Sequence, residues 1–125
     1  MNPQILLYNF MNDMRTLQIR HYLTAMGCDI KEVTAPEFLE TLGYLFGIPG
    51  FPKNPAFNLG QNFSEEMMVM KDFSGDQIDH FLNFFRTMHL QPVALKAVLT
   101  PVTQHWNSIQ LFQELKKEHA ALKRP

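Results

Sequence analysis

Leu95-Lys-Ala-Val-Leu-Thr-Pro-Val-Thr-Gln-His-Trp-Asn-Ser-Ile-Gln-Leu-Phe-Gln-Glu-Leu-Lys-Lys-Glu-His119 holds a strand, a polar turn and a capped helix in one run. From Val93 to Leu99 two sets of residues alternate: Val93, Leu95, Ala97 and Leu99 on one side, Ala94, Lys96 and Val98 on the other. That period of two predicts a strand and brings Lys96 out on its less apolar face. Thr100-Pro101 opens a turn, and Asn107-Ser-Ile-Gln110 has the spacing of a reciprocal helix cap. The helix it starts is expected to run to about Leu122, with Ile109, Phe112, Leu115, His119 and Leu122 inward. Glu114 is spaced to pair with Lys117, and Lys123 and Arg124 suit the negative end of the helix dipole.

Working backward, Ser74-Gly-Asp-Gln77 is another capping box, and Ile78, Phe81, Leu82, Phe85 and Met88 follow at helical spacing before Pro92. Met67 to Met70 reads as the strand before it. In the first half, the apolar run Ile5 to Phe10 has the look of a strand covered on both faces. A helix is expected from about Asn12 to Met26, burying Ile19, Tyr22, Leu23 and Met26 and closed by Gly27. Ile30 to Val33 is a short alternating strand. Ala35-Pro36, followed by Glu37 and Glu40, predicts a second helix start, with Phe38, Leu42, Leu45 and Phe46 inward and a stop at Gly47. Between Ile48 and Ser64 lies a long connection rich in Pro, Gly and Asn, whose Phe51, Phe57 and Phe63 argue for packing back onto the domain.

Alternating strands and helices define an α/β layer fold, here one domain over residues 1–125 with a four-stranded sheet packed with helices. Its parts are a βαβα half at 1–47, the connection at 48–64 and a second βαβα half at 65–125. Ile30-Lys-Glu-Val-Thr-Ala-Pro36 overlies Leu95-Lys-Ala-Val-Leu-Thr-Pro101 with Lys, Val and Pro in common, so Lys31 aligns with Lys96. Leu7-Tyr-Asn-Phe10 matches Met70-Lys-Asp-Phe73 in pattern. Internal duplication is the simplest reading, with chance agreement between regular α/β segments as its competitor. A ferredoxin-like sandwich fits less well, because it needs two consecutive strands in the middle.

A chain of 125 residues with 46% hydrophobic residues is long and apolar enough to bury a core, which excludes intrinsic disorder. Eleven basic against twelve acidic side chains remove any general pull toward nucleic acid or anionic membrane. The first residues lack the basic and long apolar segments of a signal peptide, and the single cysteine, Cys28, suits a reducing compartment, so a cytoplasmic protein is expected.

Ligands in open α/β sheets sit beyond the carboxyl ends of strands. Lys96, Thr100, Thr103, His105, Trp106 and Asn107 surround such an end and are the candidate ligand- or partner-binding residues. Capping and turn chemistry already accounts for Thr100, Trp106 and Asn107, leaving Lys96 and His105 unexplained. The five histidines are scattered, and no pair has the i, i+4 spacing of a helical metal site. Asp76 and His80 are one turn apart on what reads as a solvated face. No catalytic residue, metal or cofactor is expected.

Lys96-Ala-Val-Leu-Thr-Pro101, then Trp106-Asn and Leu111-Phe-Gln-Glu-Leu-Lys-Lys-Glu-His119, resembles a bacterial family of uncharacterised proteins with a C-terminal domain of unknown function. The resemblance places that domain from about Met67 onward and extends to Ile5-Leu-Leu-Tyr-Asn and Glu40-Thr-Leu-Gly-Tyr-Leu-Phe-Gly-Ile48 in the first half. It implies a bacterial cytoplasmic protein whose motif includes Lys96, Ala97, Thr100, Trp106 and Glu114, and it implies no activity. Two functions stand side by side. One is a non-enzymatic binding or regulatory module contacting a protein partner or a second copy of itself through the 96–107 surface or the 48–64 loop. The other is a small-molecule or anion-binding protein, with enzymatic activity left open, whose pocket lies at the end of the fourth strand.

Overall fold

The computed structural model describes residues 2–56, 58, 60 and 62–122. Four strands, β1 (Gln4–Tyr8), β2 (Asp29–Val33), β3 (Met67–Lys71) and β4 (Leu95–Val98), form one sheet in the order β2-β1-β3-β4. β1 runs parallel to β2 and β3 parallel to β4, while β1 and β3 meet antiparallel at the centre with Leu6 opposite Val69. Ile5 to Tyr8 and Met67 to Met70 are buried throughout, which is why both read as continuous apolar runs. The fold is thus α/β, with two βαβ units meeting along their first strands.

Helices α1 (Met14–Ala25) and α3 (Gly75–Thr87) cross from the first to the second strand of each unit. They cover the face that carries Ile5, Leu7, Met68 and Met70, supplying Ile19, Leu23, Phe81 and Phe85 to that core. α2 (Leu42–Leu45), α4 (Ser108–Leu122) and the connection cover the opposite face, where Leu6, Tyr8, Met67 and Val69 meet Phe38, Leu42, Phe63, Ile109 and Leu111.

Cap chemistry sets the helix starts as the spacing predicts. Gln77 N–H donates to Ser74 Oγ at 3.1 Å while Ser74 N–H donates to Gln77 Oε1 at 2.8 Å. Asn107 and Gln110 exchange the same pair of bonds at 2.8 and 2.9 Å. Asp13 caps α1 by accepting from Thr16 N–H at 2.9 Å. The first strand stops at Tyr8 rather than Phe10, because Asn9 turns into the left-handed region at φ 63. Its side-chain amide there donates to the carbonyls of Phe63 and Glu65. The fourth strand spans Leu95–Val98, inside the expected Val93 to Leu99.

The second helix departs most from the sequence reading. Ala35–Glu37 is a 3-10 turn, and α2 is a separate four-residue helix capped by Thr41. Between them Thr41 forms an isolated antiparallel bridge with Asn107. Leu42 N–H donates to the Trp106 carbonyl at 2.8 Å and Ser108 N–H to the Phe38 carbonyl at 3.1 Å. In a continuous helix Leu42 N–H would bond the Phe38 carbonyl instead, leaving the Trp106 carbonyl and the Ser108 N–H without these partners, so the break lets the two halves of the chain satisfy each other.

Phe51 and Phe63 pack back as expected: the Phe63 ring lies 4.7 Å from Phe38 and 4.1 Å from Phe112, and Phe51 lies over Gly43. A Cβ at Gly43 would come within 2.6 Å of that ring, which is why the position holds no side chain. Phe57, Lys123, Arg124 and the side chain of Leu122 fall outside the described residues. Lys31 and Lys96 are not equivalent in the sheet. Lys31 pairs in register with Leu6 and Lys96 with Met68, so the two project to opposite faces, one residue out of step with the sequence alignment.

Candidate functional site

The six residues singled out at the end of β4 do not converge. Lys96 faces the α1/α3 layer and is half-buried, with Nζ donating to the Val93 carbonyl at 3.0 Å. Trp106 and Asn107 belong to the other layer, beside α4 and α2. Thr100 and Thr103 satisfy each other: Thr100 N–H donates to Thr103 Oγ1 at 2.9 Å and Thr103 N–H to Thr100 Oγ1 at 3.0 Å. Asn107 is held in its reciprocal cap with Gln110. His105 is exposed, its ring centroid 5.1 Å from that of Phe51, and Trp106 is half-buried against the core.

An anion at the start of α4 would need donors there. Ser108 N–H goes to Phe38, Gln110 N–H to the Asn107 side chain and Leu111 N–H to the Asn107 carbonyl. Most of the first-turn amides that favour an anion are therefore occupied within the chain.

Cys28 is buried, and that burial, followed by the charge of Asp29, pushes its thiol up to about 12, leaving it protonated at neutral pH. Tyr8 and Ser108 share a hydrogen bond of 2.7 Å inside the core, and burial holds the Tyr8 hydroxyl well above the usual phenol range. Among the described residues no group of three or more His, Cys, Asp or Glu is placed to hold a metal ion, and no helix is long and apolar enough to cross a membrane.

Sequence reasoning missed three features. Glu40 is a buried carboxylate that anchors the connection, accepting from Asn54 N–H at 2.6 Å and Lys53 Nζ at 3.1 Å. That Glu40 bond comes first among the causes holding Lys53 above the usual lysine range. On the outer side of α1 and just before it, Met11, Met14 and Leu17 are 71%, 69% and 59% exposed. Their i, i+3, i+6 spacing was the available signal, hidden behind the stronger stripe of Ile19 and Leu23. Along α4, Trp106, Gln110, Gln113, Glu114 and Lys117 line a shallow groove of ≈ 430 Å³. Gln110, Gln113, Glu114 and Lys117 lie on one side of α4 at helical spacing, and Trp106, extended just before the helix, closes one end.

A second recess, ≈ 320 Å³, lies beside β4 and includes Glu65, Glu66, Lys116 and His119. Its main charges are matched: Lys116 reaches Glu65 at 3.0 Å and Arg15 reaches Glu66 at 2.7 Å. The Lys116 hydrogen bond is the leading reason the Glu65 carboxyl lies below the usual range.

Fold and surface together define a small α/β domain with a mixed four-stranded sheet. Within it, residues 66–122 match the model of a domain of unknown function, DUF3783. The matched span begins beside β3 and ends with α4, covering the second βαβα unit. No curated protein and no solved structure matches the chain.

Proposed function

We propose that the protein is a non-enzymatic interaction module and that it docks a protein partner, or a second copy of itself, through the outer side of α1. The observation that carries this reading is the exposure of Met11, Met14 and Leu17 on a face that plays no part in the core. A contiguous exposed apolar surface on a helix is the kind of surface that marks contact sites. The 96–107 surface becomes secondary in this reading, because its hydroxyls, its cap and Lys96 are engaged within the chain. His105 and Trp106, with Phe51 of the connection, remain its available side chains. A bacterial cytoplasmic setting and descent of the two halves from one duplicated unit belong to the same proposal.

Sedimentation and crosslinking of wild type beside Met14→Glu/Leu17→Glu test the reading. Self-association or partner capture that the double variant loses, and that Asp79→Ala/Asn83→Ala on α3 retains, is the expected result. A monomeric wild type that captures no more than the double variant sinks it.

The second reading, an anion or small-molecule pocket at the end of β4, draws support from the position of Thr100 and Thr103 beyond that strand. A thermal-shift panel including inorganic phosphate would restore it if a ligand stabilised the wild type but not Lys96→Ala.

A further inference from the structure

The groove on α4 has a chemistry independent of the α1 face. Trp106 is the single tryptophan of the chain, seated against the core immediately before the helix cap, so its indole is a fixed wall rather than a swinging side chain. Glu114, on α4, lines the same groove. Its nearest cation is Lys117, one turn further on, at 3.9 Å. The other six described ion pairs close at 2.7 to 3.1 Å, so the Glu114 contact is the loosest of them. The Lys117 side chain is 79% exposed, against 42% for Glu114, so the ammonium hovers at the solvent edge of the groove. Gln113 adds an amide to the groove lining, while Gln110 has its oxygen committed to the Asn107 backbone N–H.

An indole face attracts cations more strongly than the other aromatic rings, and a carboxylate beside it supplies the counter-charge and hydrogen-bond acceptors. A planar guanidinium can lie flat on the ring and present a fork of N–H donors to the carboxylate, a geometry an ammonium lacks. We infer that this groove receives an arginine side chain from a partner polypeptide, with the guanidinium over Trp106 and its N–H groups on Glu114. Lys117, loosely held at Glu114, competes with the guest for that carboxylate and swings into solvent when the guest arrives.

Because Trp106 is the only indole, its fluorescence reports the groove directly. Titration with N-acetyl-arginine amide should change that emission saturably, and the uncharged isostere N-acetyl-citrulline amide should bind at least about threefold more weakly, the discrimination expected of an exposed charge pair with a cation–π contact. Glu114→Gln, its fold checked by circular dichroism, should lose the preference for arginine over citrulline. Lys117→Met should tighten arginine binding. A single-arginine alanine-based peptide should bind more tightly than the capped residue, and a peptide that binds no better overturns the assignment to a partner chain. Equal responses to arginine and citrulline, an arginine preference that survives Glu114→Gln, or no saturable response to arginine overturns the site itself.

Discussion

Helices α1 and α3 occupy corresponding places in the two βαβ units, and up to their outer faces they follow the same local rules. Each is reached through a left-handed residue after a central strand, Asn9 at φ 63 and Asp72 at φ 62. Each starts on a side-chain acceptor, Asp13 or Ser74, and ends on a methionine, Met26 or Met88, followed by a left-handed residue, Gly27 or His89. Each buries two or three residues against the same side of the sheet. Outward they part: α1 presents Met14 and Leu17, while α3 presents Asp76, Asp79, Asn83 and Arg86. Backbone satisfaction and core packing constrain the ends and the inner stripe of a helix in this position, and nothing in the fold constrains its outer stripe. Apolar residues on the outside of α1 therefore need a reason other than folding.

The inner stripes should give the largest response to substitution. Phe81→Ala removes a fully buried ring in contact distance of Tyr22, Phe73 and Phe85, and should cost about 3–5 kcal/mol in urea unfolding. Leu23→Ala on α1 should cost about 2–5 kcal/mol, so similar losses would show that both halves support one core.

At the helix ends the comparison predicts opposite signs. Gly27→Ala forces a side chain into φ 81 and should destabilise by about 1–2 kcal/mol, whereas His89→Gly relieves a non-glycine residue at φ 55 and should stabilise by up to about 1 kcal/mol. Equal signs would break the correspondence between the two ends.

The caps differ in chemistry. Ser74→Ala should cost about 1 kcal/mol at any pH, since a hydroxyl does not titrate in this range. Asp13 does: the Thr16 backbone N–H, first among its causes, holds the carboxyl below the usual range. A depressed carboxyl contributes stability above its unfolded pKa of about 3.9, and that contribution is lost as the pH falls through the folded value. Asp13→Asn should thus flatten the acid side of a plot of urea midpoint against pH, while Ser74→Ala leaves its slope unchanged.

The smallest stability effect belongs to the outer faces. Met14→Glu/Leu17→Glu should move folding stability by no more than about 0.5 kcal/mol per substitution, as exposed positions do. A much larger loss would mean that these side chains pack within the monomer, against the reading of α1 as a docking face.

Much of this architecture was legible because local chemistry dictated it. The apolar runs of β1 and β3, the two reciprocal caps at Ser74 and Asn107, and the return of Phe51 and Phe63 to the core all depend on residues close in sequence or on burial alone. The break between the 3-10 turn and α2 was hidden, because the groups that cause it, Asn107 and Ser108, lie 66 residues or more beyond Thr41. The matched lysines misled for a related reason: one residue of register inverts the face, and register is set by the neighbouring strand. The turn at Thr100 and the cap at Asn107 were legible from local chemistry, but the separation of Lys96 from Trp106 into two layers could come only from the sheet.

The central antiparallel seam has a consequence for where the folding unit ends. The span 66–122 that matches the domain family begins beside β3, whose neighbour β1 lies outside it. Produced alone, that span would bare one whole edge of β3 with its four buried residues Met67 to Met70, and Ser108 would lose its partner on Tyr8. The matched span therefore stops short of the sheet it belongs to: β3 completes its hydrogen bonding only with β1, which lies outside that span.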